Sequence, residues 1–405
     1  MTRPDHDVEL DQKLKSALHQ RADALPFAPG LADGAISRAR TIRRRRWVAS
    51  WAAVVTVLAV TVPVGLVATD GSTQSASEPP AAGSVGGPAR VVLDLDSLPG
   101  GSRPSVPFAR YGVMLLAGGS GATDFQSLDW YRALAWGERA VVTELQDDGR
   151  GPRLYLYDNT SVQARAMLVE QGADSTVVSA DYRWLAYVDA GEGGAAGTIT
   201  VADAETGRSD VFEFADRSAE LLAVVDGTVY FQTDSSGARL QSWSTADGLS
   251  DLPYDTAMVS DDGSLIATVS ARTDTGNCHE LVDSASDAAR WETCDWTPAE
   301  VSPGGRWVYA TPAYADGYGP TRVAVLDAET GQVVREVRLD SGERSIGVVR
   351  DAEWESENSL LLQVESGGEA ALARLDVLTG GSEQAMAPVP FDGAENPVRP
   401  PYLLG

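Results

Sequence analysis

From about residue 131 onward, two short motifs alternate along this chain and return every forty-odd residues, and that recurrence restricts its fold more than any other feature. Three segments align without gaps: Val178-Ser179 leading to Trp184-Leu185-Ala186, Val259-Ser260 leading to Leu265-Ile266-Ala267, and Val301-Ser302 leading to Trp307-Val308-Tyr309. Each reads as a strand, a polar turn and a second, apolar strand. A second marker follows at Val201-Ala-Asp203-Ala-Glu-Thr-Gly207 and Val325-Leu-Asp327-Ala-Glu-Thr-Gly331. Leu375-Asp376-Val-Leu-Thr-Gly380 is a looser copy, and Tyr157-Asp158 and Val282-Asp283 are weaker ones. Asp opens such a turn by accepting hydrogen bonds from backbone amides, and Gly supplies the positive φ that closes it. With Ser244 in the same role, the markers fall at 158, 203, 244, 283, 327 and 376, spaced by 45, 41, 39, 44 and 49 residues. Such a period, with four strands per repeat, is that of propeller blades. One four-stranded blade cannot bury both of its faces, so blades stack around an axis and close into a ring. Six repeats span Tyr131 to Ala387, and the two ends, Val91 to Gln126 and Pro388 to Gly405, are available to pair as another. The expectation is an all-β, six- or seven-bladed β-propeller over residues 91–405.

The run Val301-Ser-Pro-Gly-Gly-Arg-Trp-Val-Tyr309 resembles the S-P-D-G-x-x-[IL]-A core of TolB-type and WD-repeat-like β-propellers. Val259-Ser-Asp-Asp-Gly-Ser-Leu-Ile-Ala267 is similar, and Val178-Ser-Ala-Asp-Tyr-Arg-Trp-Leu-Ala186 lacks the glycine. No Gly-His…Trp-Asp pair marks the repeats, which separates them from the eukaryotic WD type. The resemblance implies a fold and little about function, because such propellers host binding, scaffolding and catalysis.

Upstream of the repeats lies a different kind of signal. Arg38, Arg40 and Arg43 to Arg46 run into an uncharged stretch from Trp47 to Thr69. As a helix that stretch would be about 34 Å long, enough to cross a hydrocarbon core of about 30 Å. A cleaved signal peptide would have a shorter basic region and a shorter apolar core. Basic residues on one flank place residues 1–46 in the cytoplasm as a short helical tail, 47–69 as one transmembrane helix, and the rest outside. In the tail, Leu10, Leu14, Ala17 and Leu18 follow helical spacing. Residues 70–90, rich in Gly, Ser, Ala and Pro, read as a flexible linker spanning about 25 Å. The localisation expected is therefore a single-pass plasma-membrane protein. This layout is similar to that of single-pass actinobacterial proteins with an Arg-ending tail and an exported propeller. Some of those regulate extracytoplasmic-function sigma factors, but their zinc-binding motif, a His followed by paired Cys, is absent, since this tail has no Cys.

Charge narrows the partners. The chain carries a net −26, with 32 Lys and Arg against 58 Asp and Glu, and the tail is net basic, so the exported part is strongly acidic. That charge repels nucleic acid and anionic lipid, so no nucleic-acid partner is expected for it. No D-x-D-x-D-G loop focuses the carboxylates on a metal, and no cofactor fingerprint is present. Cys278 and Cys294 are the only cysteines and fall on the exported side. They are symmetric about residue 286 in a sequence that reads as a hairpin, so a disulfide is expected. His279 is the only histidine outside the tail. It follows Cys278 at a strand start, so no catalytic triad and no catalytic residue are expected. Paired carboxylates remain a possible catalytic device.

The loop Ala313-Tyr-Ala-Asp-Gly-Tyr-Gly-Pro320 is an aromatic, Gly-rich insertion between two strands of one repeat, and Arg272 to Asn277 is its counterpart in the preceding repeat. A binding patch around Tyr314, Asp316, Tyr318 and Asp274 is expected there. The function expected is a binding or interaction module for an outer protein or envelope ligand, with a sensory role and a cytoplasmic partner for the tail as extensions. An exported enzyme on the same scaffold is the alternative, and it would require a deep axial pocket lined by clustered acids.

Overall fold

The computed structural model describes residues from 89 to 405, except 117–121, 126–129, 145–151, 159–164, 171–174, 191–195, 216–218, 234–238, 274–275, 315–318, 341–346 and 392–399. The expected tail, span and most of the linker thus lie outside the described residues. Among the described residues every regular element is a strand, and no helix is long and apolar enough to cross a membrane.

In chain order the strands are β1 (Ala89–Leu93), β2 (Phe108–Arg110), β3 (Val113–Leu115), β4 (Ala122–Asp124), β5 (Trp130–Trp136), β6 (Arg139–Glu144), β7 (Arg153–Asp158) and β8 (Arg165–Val169). Next come β9 (Thr176–Val178), β10 (Trp184–Asp189), β11 (Gly197–Asp203), β12 (Ser209–Phe214), β13 (Ala219–Val225), β14 (Thr228–Thr233), β15 (Arg239–Ser244) and β16 (Gly248–Val259). The series continues with β17 (Leu265–Thr273), β18 (Gly276–Asp283), β19 (Ala288–Thr293), β20 (Trp296–Val301), β21 (Trp307–Pro312) and β22 (Arg322–Asp327). It ends with β23 (Val333–Leu339), β24 (Val348–Ser356), β25 (Ser359–Ser366), β26 (Glu369–Asp376), β27 (Ser382–Pro390) and β28 (Tyr402–Leu404).

These strands form antiparallel meanders. Four sheets have four strands each: β5 to β8, β9 to β12, β24 to β27, and β28-β2-β3-β4. A fifth runs β20 to β23 with β1 added parallel to β23, and a seven-strand sheet runs β13 to β19. In the last, the first half of β16 pairs with β15 and the second half with β17, so one long strand serves two meanders. The two chain ends do meet, since Phe108, Ala109 and Arg110 pair with Leu404, Leu403 and Tyr402. Val91 itself does not join that sheet. It lies in β1, where Val91 and Leu93 pair with Val337 and Leu339 and pack into the core, covering the outer edge of β23. A covered edge removes a row of unpaired backbone groups. Meanders around a common axis make this a β-propeller.

The marker residues occupy the positions their spacing implies. Asp158, Asp203, Ser244, Asp283, Asp327 and Asp376 are the final residues of β7, β11, β15, β18, β22 and β26. After β11, β15, β18, β22 and β26 the chain turns directly into the next strand of the meander. At Asp327 the carboxylate accepts from the amides of Glu329 and Thr330 at 3.1 and 2.9 Å, and Gly331 closes the turn at φ 70°. Asp287, at φ 55°, takes the glycine's place after Asp283.

The other motif builds the turn between a meander's first two strands. Ser179, Ser260 and Ser302 each accept at Oγ from the amide five residues on, at 2.8, 2.9 and 3.0 Å. The left-handed residue three places after the serine is Tyr182 (φ 59°), Gly263 (φ 70°) or Gly305 (φ 75°). Between, Asp181 and Asp262 accept from their serine hydroxyls. The third turn has Gly304 at that place, and Glu357 of the next meander reaches in to accept from Ser302 Oγ at 3.0 Å.

Tryptophans tie neighbouring meanders together. Trp136 Nε1 donates to the Arg183 carbonyl at 2.8 Å, Trp291 Nε1 to Ala328 at 3.0 Å, and Trp307 Nε1 to Asn358 Oδ1 at 3.1 Å. Trp184 packs over Gly227, where φ is 78° and a side chain would press on the indole. The equivalent positions of Trp184 and Trp307 are thus packing positions.

Candidate functional site: an acid-lined axial shaft

The first strand of each meander turns its inner edge toward the axis, and a cavity of about 630 Å³ runs there. Leu134, Val177, Leu222, Met258, Ala299, Ala352 and Leu403 line it, one each from β5, β9, β13, β16, β20, β24 and β28. Small and apolar residues let the strands approach the axis. The volume lies in the range of small-molecule sites.

The polar lining is concentrated on one side. Glu300 comes from β20, Asp351 and Glu353 from β24, and Asp261 from the turn after β16. Asp351 and Glu353 are two residues apart on one strand and so share a face. Glu300 and Glu353 occupy matching positions in consecutive meanders. Glu300 pairs with Tyr309 ahead of the Val301–Val308 pair, and Glu353 pairs with Leu361 ahead of the Trp354–Leu360 pair. The same register places Met258 opposite Ala267 and Val177 opposite Ala186. Two repeats therefore carry a carboxylate where two others carry an apolar side chain. Arg132 of β5, Tyr182 and Tyr309 complete the polar wall. Arg350 also borders the shaft, but its guanidinium pairs with Glu365 at 2.7 Å.

Electrostatics in this shaft favour protonated acids. Burial pushes the Glu353 carboxyl up to about 8, helped by the nearby charges of Asp351 and Asp261. Burial likewise raises Asp351 to about 6, opposed by the Ala352 amide, which donates at 2.9 Å, and by Arg132. Asp351 is accessible at the shaft wall, where the surrounding protein leaves its charge poorly solvated. Glu300 is raised by burial and then by Glu353, Asp261 and Asp351, although the Trp354 amide donates to it at 3.4 Å. Burial and the acids together also raise the hydroxyls of Tyr182 and Tyr309, which keeps both neutral donors. Among the described residues no three acid, His or Cys side chains converge as metal ligands.

Of the expected patch, Tyr314 alone is among the described residues, and it does not line the shaft. Tyr314 is 74 % exposed, while Asp316, Tyr318 and Asp274 lie outside the described residues. The two loops do touch, because a side chain at Gly276 (φ 149°) would press on the Ala313 carbonyl at 2.8 Å. They start at the far ends of β17 and β21, opposite the turns that carry Asp261 and Gly305. Cys278 and Cys294 form the expected disulfide, closing the β18–β19 hairpin in the register His279 to Thr293. His279 is buried beside it and does not line the shaft.

No site residue in the shaft was singled out from sequence. A signal was there: in the aligned motifs the residues before Val178, Val259 and Val301 are Val177, Met258 and Glu300, and only the last is charged.

No protein-family model matches this sequence, and no curated protein matches it. Several solved structures are similar in fold. The β-propeller domain of the trilobed protease from Pyrococcus furiosus is 13 % identical, with a TM-score of 0.44 over 63 % of this chain and 84 % of that one. Protein lmo1340 from Listeria monocytogenes EGD-e is 12 % identical, with a TM-score of 0.43 over 71 % and 85 %. TolB from Acinetobacter baumannii is 16 % identical, with a TM-score of 0.36 over 56 % of this chain and 62 % of that one. At these identities the likeness concerns fold alone.

Proposed function

We propose that this protein is a membrane-tethered, extracytoplasmic β-propeller of seven blades that works as a binding module, with the axial shaft as its ligand site. The blade count follows from reading the seven-strand sheet as two blades sharing β16, and β28-β2-β3-β4 as the blade that closes the ring. The tether rests on the Trp47 to Thr69 stretch and its arginine flank. The observation that carries the binding role is the shaft itself: a cavity whose apolar lining is interrupted by four carboxyl groups, two arginines and three tyrosines. In a ligand site a few placed polar groups set orientation within apolar walls. The exposed Tyr314 loop is retained as a second contact surface, for a protein or envelope partner.

Two measurements test this reading. Protease added to intact cells should remove residues 91–405 and spare an epitope on the tail; protection of the outer domain would refute the sidedness. A thermal-shift screen of the full chain in nanodiscs, using small molecules of positive, negative and zero charge, should find stabilising compounds whose effect disappears in a shaft variant such as Ala352→Trp. Stabilisation that ignores a blocked shaft would refute the site.

One observation favours a second reading, an exported enzyme. Asp351 and Glu353 share a strand face with carboxyls raised to about 6 and about 8, as general acid–base chemistry near neutral pH requires. Turnover of a glycoside or other hydrolysable ligand, abolished in Glu353→Gln with binding retained, would establish it.

A further inference from the structure

We infer that the shaft takes a small organic cation bearing two or more amino or guanidino groups joined by an alkyl chain. This rests on the shaft being the ligand site and adds the chemistry of what enters it. Among the described lining residues, four carboxyl groups, Asp261, Glu300, Asp351 and Glu353, face two guanidinium groups: Arg132, beside Asp351, and Arg350, which is engaged by Glu365. The acids come from three blades on one side of a shaft whose remaining wall is largely apolar, which suits positive groups carried on a hydrocarbon. A bare metal ion needs its ligands gathered at one point, and these are spread.

Tyr309 is an independent polar group aimed into the shaft. It is 6 % exposed, its ring is packed in the core of the neighbouring blades, and its hydroxyl faces Asp351 and Glu300. Among the described residues that hydroxyl has no hydrogen-bond partner. The hydroxyl opens onto the shaft, where its oxygen can accept from an ammonium and its proton can go to a neighbouring carboxylate. Tyr182 stands at the shaft wall in a left-handed conformation, φ 59°, where the sibling turns use glycine. An aromatic face beside a carboxylate cluster is a favourable seat for an alkylammonium.

Binding of such a cation favours ionised carboxylates, so it must displace the protons that the shaft holds. Glu353 is the chief source, in the presence of Asp261, Glu300, Asp351, Arg132, Tyr182 and Tyr309. Affinity should therefore rise from about pH 6 to about pH 9, with protons released on binding.

The experiment is calorimetric titration of the full chain in nanodiscs with spermidine as probe, with doubly N-acetylated spermidine and calcium chloride as comparison ligands. Expected is saturable binding of spermidine with release of protons, read from the dependence of heat on buffer ionisation. Acetylation should abolish it, Glu353→Gln and Asp351→Asn should weaken it about tenfold or more, and Tyr309→Phe should weaken it with the fold undisturbed. Glu213→Gln, on the outer strand β12, should leave it unchanged. Equal binding by the shaft variants would reduce the effect to surface charge and overturn the inference. So would failure of folded wild type to bind, or calcium binding that Glu353→Gln removes. If the screen above yields a neutral or anionic compound that the blocked shaft excludes, the binding module stands and the cationic ligand falls.

Discussion

At the scale of single residues, the propeller's turns are interchangeable parts with local exceptions, and the exceptions are informative. Gly304 stands where sibling turns carry Asp181 and Asp262, and the Glu357 carboxylate occupies the place their side chains would take. Gly304→Asp alone would set two carboxylates against each other and should destabilise the full chain by about 1–3 kcal/mol. Adding Glu357→Ala should recover most of that loss, because the turn then matches its siblings; chemical denaturation of both variants measures the coupling. Glu353 makes a prediction of a different kind. In the fold its carboxyl sits at about 8 against an ordinary 4.5, so the folded state keeps a proton that the unfolded chain has already released. Its stabilising contribution is complete below about pH 4.5 and fades as pH rises through about 8. Compared with Glu353→Gln, the wild type should therefore lose thermal stability between about pH 5 and about pH 9; parallel curves would exclude the buried proton.

Within elements, two devices hold strands that packing alone would leave weakly tied. The Cys278–Cys294 bridge closes the β18–β19 hairpin, and its loss in Cys278→Ala/Cys294→Ala should cost about 3 kcal/mol by loop-closure entropy. Reversible denaturation would check this, with the largest loss of amide protection in that hairpin. The second device is Arg374 of β26, which pairs with Glu355 of β24 and Glu383 of β27. It also donates to the carbonyls of Ser102 and Arg103 at 3.1 and 3.2 Å, tying the segment before β2 to this blade. Burial works to raise Glu355, but bonds from Arg374, the Ser105 amide and Ser359 hold it below its ordinary value. Arg374→Ala would strand that buried carboxylate and should cost about 3–5 kcal/mol, measurable by denaturant unfolding. The disulfide was readable from two symmetric positions in one hairpin. The Arg374 network was not, because its partners lie up to 272 residues away in sequence.

For the molecule as a whole, the decisive contact is the pairing of β28 with β2, which joins the two ends of the propeller. Tyr402 is fully buried beside Phe108 and Leu361, and its hydroxyl donates to the Ala387 carbonyl at 2.7 Å. Tyr402→Ala should cost about 3–5 kcal/mol, the usual range for a large core aromatic. Hydrogen exchange should show the protection lost first in β2, β3 and β4 and in β24 to β27, on either side of the closing sheet. Uniform loss around the ring would mean that closure is not where the ring's stability is gathered. The shaft depends on the same closure, since Leu403 and Leu404 form part of its wall.

By itself the sequence determined the periodic units, their Ser and Asp turns, the strand order within each repeat and the cysteine pairing. All of these are set by residues near one another along the chain, whose hydrogen bonds and side-chain alternation are local. Only the tertiary structure decided which residues share the axis. Asp261, Glu300 and Glu353 are roughly forty to fifty residues apart, one per blade, and become neighbours only when stacked blades turn their first strands inward. The direction of β1, which leaves the closing sheet to cover β23, was settled in the same way, by an exposed edge that exists only once the blade is assembled.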